Sequence, residues 1–408
     1  MSVEVLERRR VARPSWIALS VFLVFAASNA PAPLYVVWQR EMGFPPSTVS
    51  LIFVSYIVGS VVALVFGGRA SDRFGRRAVL LPALGLAIVA CLVFATARTP
   101  LWLEAGRFFI GLASGAFGAA GSAAIADAFG PGRGARAALY ASAAPVAGSA
   151  VGPLLSGVLA DVAPAPTRLV FLVLIVPLAA AAIPLTAVGG RPAGVGGRWV
   201  QLPSVPREIA GTVLLAMAVA GSPFALAGLF ISLGPALIAD LLGNDTRTLA
   251  GAVSFVVFGA GAGAQFLVRR MDIYRVAVVG LSVSALAAVL IAVAVGAASV
   301  PVIVVAAIAA GLGQSLAQLA GLTLARGYAP EGRTAEVVSM VWLAGYATVG
   351  SGILGLGFLA DGIGLRPATY AFCGFFLACV CGAGVAVVRR RPVVEALGAD
   401  TPLTPDNQ

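Results

Sequence analysis

The chain has 408 residues, 11% of them charged and 60% hydrophobic, with a formal net charge of +10 and no histidine. Soluble domains carry roughly a quarter charged residues, so a string of soluble domains is excluded. The missing histidine removes the usual zinc ligand and the usual catalytic base.

Long apolar runs organise the chain. Twenty-six uncharged residues separate Arg13 from Arg40, and further uncharged runs cover 42–68, 78–97, 108–126, 137–160, 169–190, 209–239, 248–268, 276–325, 337–360 and 367–388. A bilayer core of about 30 Å is crossed by about 20 apolar residues in a helix. Each run therefore predicts one crossing, except 276–325, which must fold back once around Val295–Pro301. The expectation is an all-α integral membrane protein with twelve transmembrane helices, span 1 to span 12 in chain order. Barrel strands would alternate at period two, and these runs are apolar throughout.

All 27 basic residues are arginine. With the N-terminus inside, the tails and the even-numbered connections hold 21 of them. The outward loops hold Arg40, Arg98, Arg168, Arg247 and Arg366, and Arg107 lies within span 4. That asymmetry is the positive-inside pattern and places both termini in the cytoplasm. The basic balance thus reports topology and predicts no nucleic-acid partner. The basic N-terminus precedes a run too long for a signal-peptide core, so it reads as a retained first span. Cys91, Cys373, Cys379 and Cys381 fall within spans, where thiols act as small apolar residues.

Between spans 6 and 7 lies "GGRPAGVGGRWVQLPSVPRE", Gly189–Glu208, whose Gly, Pro and Arg content marks a cytoplasmic linker. It bisects the spans, giving a bundle over 1–188, the linker 189–208, a second bundle over 209–390 and a cytoplasmic tail over 391–408. Sliding the sequence by 200 aligns Gly132–Asp161 with Gly332–Asp361 at eleven identical positions, Leu159-Ala160-Asp161 against Leu359-Ala360-Asp361 among them. The same offset pairs Gly59 with Gly259, Arg69 with Arg269, Asp72 with Asp272 and Gly111 with Gly311. Two pseudo-symmetric six-helix bundles, made by duplication, are expected.

After span 2 comes "GGRASDRFGRRAVLL", Gly67–Leu81, with five charged residues in a chain that is otherwise oily. It resembles the signature of the major facilitator superfamily, roughly G-x-L-x-D-R-x-G-R-R, matched by Gly68, Asp72, Arg73, Gly75, Arg76 and Arg77, with Ala70 in place of leucine. Gly75 suits a tight turn, and Asp72 suits the positive end of a helix. The resemblance implies a latch in which Asp72 meets the start of span 11 (about Arg333–Glu336), an arginine reaches Asp127, and Asp272 meets the start of span 5. Two more stretches fit the same family. "EAGRFFIGLASG" in span 4 looks like its R-x-x-x-G pattern, with Arg107 and Gly111. "GSAVGPLLSG" in span 5, with Gly148, Gly152, Pro153 and Gly157, looks like the element common in its proton-driven exporters. Gly148 and Gly152 offer a face for close helix packing, while Pro153 frees the Ser149 carbonyl.

Ionisable groups inside a span are functional candidates by default. Glu104 and Arg107 qualify, spaced to share a face and to pair. The resemblance implies that spans 1, 4, 7 and 10 line the cavity, which adds Asn29, Tyr35 and Gln39, then Phe224, Phe230 and Ser232, then Gln314 and Gln318. Span 1 lacks the acid that several drug exporters carry. The expected function is proton-coupled efflux of a small molecule by alternating access, with proton-coupled uptake of a sugar or organic acid, or uniport, as the alternative. So few fixed charges favour apolar or amphipathic solutes, or anions at Arg107. Nothing resembles a nucleotide phosphate loop, a metal cluster or a catalytic pairing, so neither cofactor, metal nor enzymatic activity is expected. The alanine-rich, lysine-free composition suggests a bacterial inner membrane, and a monomer in lipid is expected. Single cysteines placed in a cysteine-free background test the orientation. Arg198→Cys should label only from the cytoplasmic side, and Arg168→Cys and Arg366→Cys only from outside; the reverse pattern would invert the topology.

Overall fold

Lipid offers a peptide backbone no hydrogen-bond partner, so every crossing segment must satisfy its own N–H and C=O groups. The computed structural model describes residues 13–130, 132–188, 207–243, 246–267, 271–330 and 333–400, and these are helical nearly throughout, without strands. Eleven helical stretches among them are long and apolar enough to cross a membrane, and the apolar helix Leu169–Leu185 is shorter. Together they account for the twelve expected spans. The linker residues 189–206 and the tail residues 401–408 lie outside the described residues.

The first six spans are Pro14–Met42, Pro46–Phe74, Arg76–Ala95, Pro100–Phe129, Gly134–Val162 and Leu169–Leu185. The second six begin with a helix from Arg207 that is interrupted twice before Leu242. They continue as Arg247–Leu267, Ile273–Ala297, Val300–Gly327, Thr334–Ile363 and Leu365–Arg389. Within the tail, Arg391–Asp400 forms a further short helix. The fold-back between spans 9 and 10 falls where the sequence places it. Ala298 takes a left-handed conformation (φ 48°, ψ 43°), and Pro301 occupies the first turn of span 10, where its missing N–H costs nothing.

Backbone events repeat at the 200-residue offset. Span 1 ends at Met42 with Gly43 left-handed (φ 69°), and span 7 ends at Leu242 with Gly243 left-handed (φ 60°). Spans 5 and 11 start at Gly134 and Thr334, and spans 4 and 10 at Pro100 and Val300. The described residues form two compact units, one within 13–44 and 52–188, the other within 45–51 and 207–400. The first turn of span 2 belongs to the second unit, where the Ser47 amide donates to Asp361 at 3.1 Å.

Inside the first unit, glycines bring backbones into contact. A Cβ on Gly148 would overlap the Phe22 carbonyl oxygen and one on Gly152 that of Ala26, so span 5 lies directly on span 1. Span 2 meets span 4 in the same way: Gly59 faces the Phe108 carbonyl and Gly111 the Tyr56 carbonyl. In the second unit a Cβ on Gly311 would overlap the Val257 carbonyl. Its glycine neighbour is Gly261, where an added Cβ would lie 3.2 Å from the Gly311 oxygen, rather than Gly259, so the repeat shifts by about half a turn. Without a hydrophobic drive between helices in lipid, such small-residue contacts supply the packing. Gly111→Val should therefore lower the melting temperature in detergent sharply, by an overpacking cost of at least about 1–3 kcal/mol. Gly85→Ala, with nothing within 4 Å of the added carbon, should leave it unchanged.

A candidate substrate and coupling site in the first unit

Span 1 is not one helix. Pro31 and Pro33 lack the N–H groups that would continue the ladder, so the α-helix Pro14–Asn29 stops, a 3₁₀ turn Ala32–Leu34 follows, and Tyr35–Met42 resumes as helix. The last carbonyls of the first piece are left for other donors. Arg107, on span 4, takes one of them: its Nη1 donates to the Ser28 carbonyl at 2.6 Å. Its Nε donates to the Tyr35 hydroxyl. One guanidinium thus joins the two sides of the break.

The arginine is 1% exposed. Its carbon sits 5.2 Å from the Tyr35 ring centroid and 5.7 Å from that of Tyr56, a cation between two aromatic faces. Nη2 is buried and makes no hydrogen bond among the described residues. Ser114 extends the polar cluster, donating to the Gly111 carbonyl at 3.1 Å and lying 3.3 Å from the Tyr56 hydroxyl. The segment after the break is wedged by aromatics. Trp38 stacks on Phe94 (6.2 Å) and Phe171 (6.1 Å) and tilts against Tyr35 at 6.1 Å. Gly106 makes room for Phe94, since a Cβ there would lie 2.7 Å from that ring.

Several sequence-predicted residues converge here and others do not. Arg107, Tyr35 and Asn29 gather at the break. Asn29 donates to the Phe25 carbonyl at 3.1 Å and to Ser149 at 3.2 Å, tying span 1 to span 5 beside Pro153. Glu104 is half-buried on the same helix, but no ion pair joins it to Arg107 among the described residues. The spacing suggested that pair; the released Ser28 carbonyl and the phenol take the guanidinium instead. Gln39 is half-buried beyond the break. Ser28, Tyr56 and Ser114 were not singled out from the sequence. Tyr56 could have been found from Gly59, one turn along the face that meets Gly111.

In the second unit, Gln314 and Gln318 are half-buried on span 10 without side-chain hydrogen bonds among the described residues. Phe230 and Ser232 are packed inside, Ser232 bonding its own helix at the Gly228 carbonyl (2.7 Å). Phe224 instead meets Trp342 (5.9 Å) and Tyr346 (6.1 Å) edge-on, an aromatic cluster signalled by the four-residue spacing of the last two on span 11.

At the turn between spans 2 and 3, Gly75 adopts φ 90°, a conformation open to glycine at little cost. Arg76 contacts Asp127 at the end of span 4, Nε to Oδ2 at 3.3 Å, and its Nη1 donates to Ser71 at 2.9 Å. Arg77 is exposed. The surroundings of Gly68 and the Asp72 side chain lie outside the described residues. Asp272 caps its own helix, accepting from the Arg275 amide at 2.8 Å and pairing with the Arg275 side chain at 3.0 Å. A single π-helical turn, Phe117–Gly121, interrupts span 4 between Arg107 and Asp127, and such turns often mark functional sites.

The fold and parts of the sequence have known counterparts. A bacterial homologue of the human lysosomal transporter Spinster shares the fold at a TM-score of 0.74 with 13% identity, covering 94% of this chain and 97% of its own. A D-xylose-proton symporter does so at 0.72 with 15% identity, over 92% and 95%. The multidrug resistance protein MdtL of Escherichia coli is 32% identical over 75 residues, which is 18% of this chain and 19% of that relative's length. The sequence profile described as Major Facilitator Superfamily matches residues 17–347, and the chain belongs to that superfamily of membrane transporters.

Proposed function

We propose that the protein exports a small molecule across a bacterial inner membrane in exchange for protons, as a monomer working by alternating access with both termini in the cytoplasm. The observation that carries this reading is the seat of the span 5 motif. Gly148 and Gly152 rest on the backbone of span 1 at Phe22 and Ala26, directly below the break that Arg107 bridges. Ser149, whose carbonyl Pro153 frees, reaches Asn29. The exporter-like element and a fully buried cation therefore act on the same stretch of helix. The short match to a relative named for multidrug resistance supports the same direction. Only Glu104 is placed among the acids of span 4 to carry a proton from the outer side, being half-buried one turn from Arg107. Arg76, paired with Asp127, belongs to the cytoplasmic latch that the signature implies.

Direction is tested with membrane vesicles carrying an imposed pH gradient, read by a pH-sensitive dye. A panel of apolar and amphipathic solutes should collapse the gradient in inverted vesicles, and collapse in right-side-out vesicles alone would establish uptake. Glu104→Gln should keep its folded yield and lose solute-driven proton flux by at least about tenfold, the scale of removing a proton-transfer group. Parental flux in that variant would move the proton site elsewhere. Arg107→Ala should abolish transport.

A further inference from the structure

A guanidinium offers five N–H donors in a flat fork. In Arg107, Nη1 is committed to the Ser28 carbonyl and Nε to the Tyr35 hydroxyl, while buried Nη2 bonds nothing among the described residues. Nε and Nη2 lie along one edge of the group, the edge that carboxylates engage side-on through two parallel hydrogen bonds. One half of that edge is idle and the other is held by a neutral phenol.

The electrostatics point the same way. Among the described residues every hydrogen-bond partner of this buried cation is neutral, the faces of Tyr35 and Tyr56 lie against it, and no ion pair joins it to Glu104. The cluster keeps a net positive charge. A cationic solute would be repelled, and a neutral one would satisfy Nη2 but leave the charge. A carboxylate does both. On its own helix Arg107 is flanked one turn to either side by buried Leu103 and Ile110, which suits a carboxylate on an otherwise apolar body.

We infer that the Nε–Nη2 edge of Arg107 is a binding point for the carboxylate of an amphipathic organic anion, and that the anion evicts the Tyr35 hydroxyl when it binds. The inference rests on the transport reading only in taking this anion to be the cargo. Eviction has a mechanical consequence. Tyr35 is the first residue of the Tyr35–Met42 segment, and its hydroxyl is the hydrogen bond by which Arg107 holds that segment to the helix before the break. Occupancy of the site therefore loosens the outer piece of span 1, leaving it held by the Trp38 stack.

Benzoate and its neutral isostere benzamide are suitable probes, at constant ionic strength, with purified protein in detergent. Two readouts apply: thermal stabilisation, and the emission of Trp38, whose ring lies 6.1 Å from that of Tyr35, taken as the difference from Trp38→Phe. Benzoate should stabilise saturably and shift the Trp38 emission, and benzamide should do neither. Tyr35→Phe removes the competitor and should tighten benzoate binding by roughly three- to tenfold, the worth of a displaced hydrogen bond. Arg107→Lys keeps a charge without the fork and should weaken binding at least about tenfold. A purely structural Tyr35 would give weaker or unchanged binding in Tyr35→Phe, and that result overturns the proposal. Equal responses to benzoate and benzamide, or unchanged benzoate binding in Arg107→Lys, overturn it as well. Because this is equilibrium binding without a gradient, it can succeed where export fails, and export of neutral solutes can be established where it fails.

Discussion

A charge buried at membrane depth must be met by partners that the chain itself provides. An isolated arginine at the centre of a span costs about 2.5–3.5 kcal/mol on insertion scales, comparable to a large share of a protein's net stability. Arg107 is met by a break in a neighbouring helix. Two prolines end the first piece of span 1, a carbonyl is released at Ser28, and the chain turns to present Tyr35 on the far side. The irregularity of span 1 and the charge on span 4 meet at one place: the buried charge would be destabilising without the carbonyl that the break releases. Unwound backbone at this depth is tolerated only where protein surrounds it, and span 5 packs against the 3₁₀ turn Ala32–Leu34 while Gly148 and Gly152 seat it on the helix before the break.

The glycine contacts and the charged site are linked in the same sense. Gly111 is four residues from Arg107 on span 4, and the close approach it permits to the Tyr56 carbonyl is what brings the Tyr56 ring within reach of the guanidinium. A larger residue at 111 would push span 2 outward and take one aromatic face from the cation. Packing here determines electrostatics, since cation–π attraction falls away beyond about 6 Å.

The number of spans is legible in the sequence because bilayer thickness imposes it: an uncharged run of the right length has few other fates. The fold-back before Pro301 is legible because a fifty-residue run exceeds one crossing. The breaks in spans 1 and 7 escape a reading by charge, since proline, glycine and serine interrupt a helix without interrupting an apolar run. The site is legible in part. Arg107 stands out as an ion in oil, whereas Ser28 and Tyr35 are 79 and 72 residues away in sequence, so local spacing cannot reveal the contacts. Spacing instead proposes Glu104, three residues away, and the structure directs the guanidinium to span 1. Local geometry offers that pair, and tertiary contact overrides it.

Across the 200-residue offset, helix ends recur while side chains differ. Helix ends at Met42 and Leu242, left-handed glycines at 43 and 243, and the starts of spans 4, 5, 10 and 11 all keep the offset. At the position matching Arg107 the second unit has Ala307, fully buried. Its broken span 7 is served by Ser232 bonding within its own helix, and its span 10 carries the half-buried amides Gln314 and Gln318. A break in a span therefore does not require a cation, but a buried cation requires something like the break. The constraint runs in one direction, so the second unit can carry a broken span 7 with buried Ala307 at the matching position and no cation there.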